Sequence, residues 1–547
     1  MRTLKTITLL IIILLISSCG PTLTNAANGL SFSATSGFYE QDSLTVTVTA
    51  PKGCTVAFTT DGTMPTAEDN SGERTAQIEL SGSPEGYIIK YEEQMRLYDF
   101  SHPRFVDDPT LPSGWMLSAA VIDSSGKLGE PVAHVYFLGA KASELFPDLL
   151  VVSVIADPED LLDYYRGILV AGAVYDTWRQ TDAAKDIINN GRIWEAESNG
   201  TQKGKEWERP CVFQIYDGSR TPVITQAAGI RTQGGYSRRQ EQKSFNLYFR
   251  DEYGSGRLKY ELFSGIREYK SLTLRNGGNG FDNVKYKNEL ISGLVSDRAV
   301  GTLSSRPAIL FLNGEFWGPY NLTDKISDRM IADKYKVDKD QVVVIKNGEV
   351  EVGEDEDLRL YEDLYKFADL DLSDPDNWKE FCSTVNINSF ADYCAIRIFI
   401  GDADWDALKN DVLWRTRNKS YDNGRWNFIL YDVEFSAGHY GIKTSAAETD
   451  HFSLALENYP LLAAAIQNNE FYELFLDTIK TIGSENFAPE KVCEALNSFD
   501  SIWQPLMDLH YKRFDSNSEQ YSMGLYFVRD FFEKRYDLII PIIEAYK

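Results

Sequence analysis

The stretch Gly401-Asp402-Ala403-Asp404-Trp405-Asp406-Ala407-Leu408-Lys409-Asn410 runs into an apolar, strand-like segment, Val412-Leu413-Trp414-Arg415. A second such segment, Arg425-Trp426-Asn427-Phe428-Ile429-Leu430-Tyr431, ends in Asp432-Val433-Glu434. Two short strands therefore frame a polar loop, and the later strand delivers an aspartate at its end. Mg2+ takes hard oxygen ligands, and a strand end holds such a ligand rigidly. A loop aspartate able to accept a hydroxyl proton, followed by an asparagine, completes an arrangement suited to phosphoryl transfer. The same residue types also serve as turn and cap residues, so the pattern alone leaves both readings open. A Ca2+ loop would need a D-x-[DN]-x-[DN]-G frame with a distal Glu, which this stretch lacks.

Outward from this stretch the chain mixes strand and helix signals. Leu150 to Ile155 reads as a buried strand, and Asp157-Pro158 after it as a helix start. Strand-like runs recur at Val212 to Tyr216, Phe245 to Phe249 and Ser271 to Leu274. Asn313-Gly314, between two apolar runs, is a tight hairpin cue, and Ile326 to Tyr335 reads as a helix. After Tyr459, Phe471, Leu474, Phe475 and Ile479 recur at helical spacing. The acidic run Glu349 to Asp357 reads as a solvated loop. Upstream, Asn28 to Gly139 is all-β in pattern: Ser43 to Thr49 alternates with period two, and Asp61-Gly62 marks a tight turn. These signals predict an α+β chain: an N-terminal all-β sandwich over 28–140, a mixed domain over 149–514 with a helical C-terminal subdomain, and a helical extension over 515–547.

Composition bounds what such a chain can do. Its 547 residues predict two to four domains, and 25 % charged with 13 % aromatic residues are globular values. With 81 acidic against 55 basic residues the net charge is −26, which argues against a duplex nucleic-acid partner because phosphate backbones need a basic face. Cations, cationic partners or neutral sugars suit it better. No G-x-x-x-x-G-K-[ST] loop, H-E-x-x-H or G-x-S-x-G occurs. Cys54, Cys211, Cys382, Cys394 and Cys493 form no C-x-x-C pair and His is scarce, so a structural zinc site is not expected and buried thiols are.

Arg2 and Lys5 precede an apolar run from Leu9 to Ile16, then Ser17, Ser18 and Cys19. A basic start, a short apolar stretch and small residues make an export signal, too short to span a bilayer. Ile16-Ser17-Ser18-Cys19 resembles a bacterial lipobox, which implies a signal over 1–19, cleavage before Cys19 and lipidation of that thiol. The expected location is the cell envelope, with the mature chain tethered to the membrane.

Two resemblances sharpen these expectations. Phe58-Thr59-Thr60-Asp61-Gly62-Thr63-Met64-Pro65-Thr66 resembles the TTDG-x-x-PT signature of the β-sandwich module found at the C-terminal ends of chitobiases and β-hexosaminidases. That likeness implies an accessory module with no catalytic residue, with Asp61 and Thr66 in turn and cap positions and a glycan as a possible partner. Gly229-Ile230-Arg231-Thr232-Gln233-Gly234-Gly235-Tyr236-Ser237-Arg238, with Gln242-Lys243-Ser244-Phe245 after it, resembles the opening element of the CotH kinase family, the spore-coat protein H-like atypical kinases. Further matches follow in order: Leu274 to Asn279, Phe311 to Leu322, Asp404-Trp405 with Asn410 and Trp414-Arg415, and Tyr431-Asp432.

The family resemblance implies an atypical protein-kinase-like domain over 149–514. It would bind ATP with Mg2+ or Mn2+ and phosphorylate Ser or Thr of a protein in the cell envelope. By that likeness Lys243 holds the ATP phosphates, Asp404 is the catalytic aspartate, and Asn410 and Asp432 bind metal. Arg238 and Arg275 match positions that contact phosphate or serve as ion-pair partners, and Asp324 stands at the hairpin exit where relatives carry Glu. Trp405 and Trp414 either wall the nucleotide or pack the core, and Asp406 competes with Asp404. The chain departs from the family pattern at Gly280, Lys287-Asn288, Asp324 and Glu434. The other function class is a non-catalytic, surface-anchored adaptor that binds glycan or envelope proteins; fold alone does not choose between them.

Overall fold

Alternation in the N-terminal segment folds as two facing sheets. In the computed structural model, which describes residues 29–97, 105–139, 145–146, 149–514 and 517–547, seven strands build them. They are β1 (Ser31–Phe32), β2 (Gly37–Tyr39), β3 (Ser43–Thr49), β4 (Thr55–Thr59), β5 (Thr75–Ser81), β6 (Trp115–Ile122) and β7 (Val132–Leu138). One sheet has the order β1-β3-β5 and the other β2-β7-β6-β4. Val46, Val48, Leu80, Leu117 and Ala119 are buried between them, as period-two side chains must be. Asp61 accepts from the Thr63 N–H at 3.1 Å, and Thr66 caps the turn Ala67–Asp69. The proposed signal and Cys19 lie outside the described residues.

The next nine strands are β8 (Leu150–Ala156), β9 (Arg209–Tyr216), β10 (Ile224–Gln233), β11 (Ser244–Tyr248), β12 (Leu258–Phe263), β13 (Ile266–Tyr269), β14 (Ser271–Arg275), β15 (Ser305–Leu312) and β16 (Glu315–Asp324). Seven of them close into a barrel in the order β10-β11-β14-β16-β15-β8-β9, with β12 and β13 as a separate ribbon. Asn313 and Gly314 both take positive φ, 50° and 85°, the backbone that a two-residue hairpin between β15 and β16 requires. Val152, Phe213, Ile230, Phe245, Leu274 and Leu322 fill the barrel. Strand alternation then turns Arg231, Ser244, Asn246, Thr273 and Arg275 to the opposite face of β10, β11 and β14. That polar face positions the site.

Beyond the barrel, β17 (Val342–Lys346), β18 (Glu349–Val352), β19 (Val412–Thr416) and β20 (Asn427–Phe428) pair in the order β18-β17-β19-β20. Helices Ile387–Phe399, Asn469–Thr481, Pro489–Phe514 and Glu519–Glu544 pack beside this sheet in one hydrophobic core. The fold is α+β, strand-rich in its N-terminal half and helical towards the C-terminus. None of the helices among the described residues is long and apolar enough to cross a membrane.

Two local expectations change. The acidic run forms β18 and a short turn whose Asp357 is buried, because Arg417 reaches its carboxylate at 2.5 Å. The last helix is no appendage. Its Arg535 is fully buried and donates to the carbonyls of Ile398, Phe399 and Ala447, and Phe531, Phe532 and Ile539 belong to the shared core. The sandwich is likewise joined to the barrel: Phe38 stacks on Phe137 and meets Tyr216 edge-on. Glu315 accepts from the Ile88 and Ile89 N–H groups and pairs with Arg513 at 3.1 Å. Among the described residues the five cysteines are free thiols.

Candidate active site

The polar face of the barrel forms the floor of a cleft of about 600 Å3, which the loops around β17 and β19 close from the other side. The β10–β11 loop forms one wall. Gly234, at φ 101°, turns so tightly that a Cβ there would lie 1.9 Å from Ser237 Oγ, so only glycine lets this loop close. The turn buries Arg238, whose Nη1 donates to Thr201 O at 3.2 Å while its Nε has no partner. Burial and the neighbouring Arg231 pull the Arg238 guanidinium down to about 10. Arg231 donates to Gly204 O and to Tyr248 Oη, and its Nε is also unpartnered. Among the described residues neither arginine has a carboxylate within ion-pair distance. A buried guanidinium with no ion-pair partner is costly, and the more distant Glu197 offsets Arg238 only in part, so this end of the cleft is matched to an anion.

Carboxylates gather at the other end. Asp432 takes φ 56°, and its carboxylate receives Arg275 Nη2 at 3.1 Å while 37 % of the side chain stays open to the cleft. Burial raises its proton affinity, but Glu434 and Arg275 together outweigh this and hold it down to about 2. Glu434, fully buried and in contact with the same guanidinium, is pushed well above the carboxylate range by burial. The two carboxyls are thus driven in opposite directions, Asp432 towards the ionised form and Glu434 towards the protonated one. Asn410, at φ 57°, donates its amide nitrogen to Asp404 O at 2.8 Å, which leaves the amide oxygen for a ligand. Asp404 lines the cleft and contacts Lys409. Asp406 does not line it; its carboxylate accepts from the Leu408 N–H and closes a turn. Of the two aspartates, only Asp404 faces the cleft.

Asp432 and Asn410 supply the hard oxygens Mg2+ prefers. No group of three or more His, Cys, Asp or Glu side chains that could hold a metal occurs among the described residues. The two side chains fit an ion completed by phosphate and water oxygens rather than an all-protein cage.

The expected nucleotide residues sort differently. Arg238 and Arg275 border the cleft, but Arg275 is spent on Asp432 and Glu434 and positions them instead of offering a free phosphate donor. Lys243 does not line the cleft. Strand alternation turns it to the face opposite Ser244, where its ammonium is fully buried and donates to the carbonyls of Arg238 and Gln240. It braces the glycine-containing loop from behind, and burial lowers it to about 8. Asp324 ends β16 at the cleft edge, but its carboxyl is buried near Lys334 and Tyr269, and burial raises it to about 7. Trp405 packs on Tyr459 and Trp414 on Tyr335, so both are core residues.

Three residues missing from the sequence reading organise the site. Arg397 is wholly buried in the last turn of Ile387–Phe399, pairs with Asp402, and donates to Asn410 O and Tyr431 O at 2.7 Å each. One guanidinium thus ties the Asp404–Asn410 loop to the Asp432 strand end. Asp411 accepts from the hydroxyls of Tyr393 and Tyr459 at 2.9 Å and of Tyr365 at 3.3 Å, which anchors the same loop. Lys346, at the end of β17, lines the cleft with its Nζ 4.0 Å from the centre of the Tyr431 ring. A lone Arg in the apolar run Phe390 to Phe399, and a Lys directly before Asn347-Gly348, were the available signals.

None of the curated proteins matches this chain. The family model described as CotH kinase protein matches residues 230–539, more than half of the 547 residues. The match runs from the arginine-bearing β10 through Asp404, Asn410 and Asp432 into the last helix, and the chain belongs to the CotH kinase family.

Proposed function

We propose that this protein is an atypical protein kinase of the cell envelope. It transfers the γ-phosphate of ATP to a Ser or Thr hydroxyl of an envelope protein and is tethered through lipid at Cys19. One observation carries this reading. A single cleft holds the buried Arg238 and the half-buried Arg231, neither in an ion pair among the described residues, at one end and an ionised Asp432 beside the Asn410 amide at the other. Guanidinium groups suit phosphate oxygens, and Asp432 with Asn410 would hold the divalent ion that neutralises charge on the transferring group. Asp404 orients the acceptor hydroxyl and takes its proton. Arg275, shared with Glu434, keeps Asp432 ionised and aimed. The test is label transfer from ATP with Mg2+ or Mn2+ to the purified chain and to envelope proteins, beside Asp432→Ala. Transfer lost in the variant supports the kinase. Neither transfer nor a nucleotide-dependent thermal shift at millimolar ATP would overturn it, because a ligand bound only by the folded state must stabilise it.

A second cleft favours the adaptor reading in addition. It measures about 1110 Å3 and is lined by Tyr87, Tyr91, Tyr164, Tyr175 and Trp178, the last two stacked 5.7 Å apart. Flat aromatic faces beside carboxylates suit sugar rings. Retention on insoluble polysaccharide, lost in Trp178→Ala, would support an adaptor role.

A further inference from the structure

The cleft contains an ammonium group with no assigned work. Of its four lysines, Lys409 contacts Asp404, Lys325 pairs with Glu351 at 2.9 Å, and Lys203 is exposed on the rim. Lys346 is half-buried and, among the described residues, has no carboxylate within ion-pair distance. It is held in place on three sides. Pairing of β17 with β19 sets Lys346 opposite Val412, two residues beyond Asn410. The following turn, Asn347 at φ 55° and Gly348 at φ 76°, ends the strand there, and the Asn347 N–H donates to Asp411 O at 2.8 Å. The Tyr431 ring, next to Asp432, lies under the ammonium at 4.0 Å. Tyr431 orients the ammonium through its ring and its hydroxyl, and Glu351 and Asp432 attract it from beyond ion-pair distance, so the group stays charged. Lys243, the lysine expected from the motif, points to the other side of its strand and donates to two carbonyls there.

Resting on the kinase reading above, we infer that Lys346 is the lysine that binds the terminal phosphates of the nucleotide, and that Lys243 is a brace for the glycine-containing loop. The side chain is a compact point charge beside Asp432, so it would meet the same phosphate oxygens as an ion held there. It contacts charge that AMP lacks.

Binding of Mg-ATP and of AMP is measured by calorimetry on the full chain for the wild type, Lys346→Met, Lys346→Arg and Lys243→Met. Loss of one charge-assisted contact predicts about ten- to a hundred-fold weaker Mg-ATP binding in Lys346→Met, with AMP affinity unchanged. Lys346→Arg keeps the charge and recovers part of the loss, and it also serves should the Met variant fail to fold. Lys243→Met lowers thermal stability and, through the loop that carries Arg238, weakens Mg-ATP and AMP alike. Unchanged Mg-ATP affinity in Lys346→Met, or a loss selective for Mg-ATP over AMP in Lys243→Met alone, overturns the inference while the kinase reading stands. A wild type that binds no Mg-ATP overturns the kinase reading, and this inference with it.

Discussion

Replacing Arg397 by Met isolates the guanidinium that joins the two halves of the site. The side chain is 0 % exposed, as is that of its partner Asp402, and it satisfies the carbonyls of Asn410 and Tyr431 at 2.7 Å. Methionine fills similar volume, so the loss is electrostatic and not a cavity. Removing one member of a buried ion pair costs about 3–5 kcal/mol because the other charge stays behind unpaired. Melting entropy of about 2.1 cal/mol/K per residue over roughly 370 residues gives about 0.8 kcal/mol/K, so the melting temperature should fall by about 4–6 °C. The sign with pH is also determined. Burial raises Asp402 from its ordinary 3.8 to about 6, even with Arg397 opposing it. A carboxyl raised on folding binds more protons in the native than in the unfolded state, so its contribution to stability falls as pH rises through that window. Without Arg397 the carboxyl rises further. The deficit of Arg397→Met is therefore larger at pH 8 than at pH 5, where Asp402 can protonate in the fold. Adding Asp402→Asn should recover part of it at pH 8. Differential scanning calorimetry of the four members of the cycle at both pH values is the assay. A loss under about 1 kcal/mol, an equal deficit at both pH values, or strict additivity of the two substitutions would refute the reasoning.

Asp404→Asn should lower label transfer about 10²- to 10⁴-fold while the ATP-dependent thermal shift persists, since this residue handles the acceptor proton and not the nucleotide; loss of the shift would count against that role. Burial lowers Lys287 from 10.5 to about 7, so the folded chain binds fewer protons than the unfolded one between those values. Stability should rise as pH climbs from about 7 towards 10, and Lys287→Met should flatten that slope in melts across the range. Glu315→Ala removes the acceptor of two backbone N–H groups and the partner of Arg513. A loss of about 3–5 kcal/mol is expected at the sandwich–barrel junction, read from the urea midpoint, and an unchanged midpoint would contradict it.

Elements with local causes were legible in the sequence. Ser43–Thr49 alternates because one face is buried, Asn313-Gly314 turns because both residues accept positive φ, and Asp157 caps the helix at Pro158. Barrel closure was not legible. It depends on β8 lying parallel to β15, more than 140 residues away, and no local signal encodes a long-range parallel pair. The same limit governs the site. Asp404, Asn410 and Asp432 are legible as a group because they lie at a loop and a strand end near one another in the chain, and they line one cleft. Lys243 stands apart from them because its direction depends on one step of strand register, which sends Ser244 to the cleft and Lys243 behind it. Arg231, Lys346 and Arg397 serve the site from three other elements, and only the fold brings them together.

The departures from the family pattern look in sequence like four independent losses of function. In space, two of the four sites meet at the Asp432 segment. Lys287 donates to Ser436 O at 2.9 Å and is drawn towards Glu434, and the Asn288 amide oxygen lies 3.4 Å from the Val433 N–H. Glu434 in turn shares Arg275 with Asp432. Gly278, at φ 55°, lies in van der Waals contact range of Glu434. Lys287, Asn288 and Glu434 therefore form one coupled set around the Asp432 strand end. Contacting residues do not contribute additively: Glu434 buried alone would be a liability, but Arg275 contacts its carboxyl and Lys287 is drawn towards it. Counting departures one by one overstates the damage, because what the site requires of them is an ionised, correctly aimed Asp432, and that is what the set supplies.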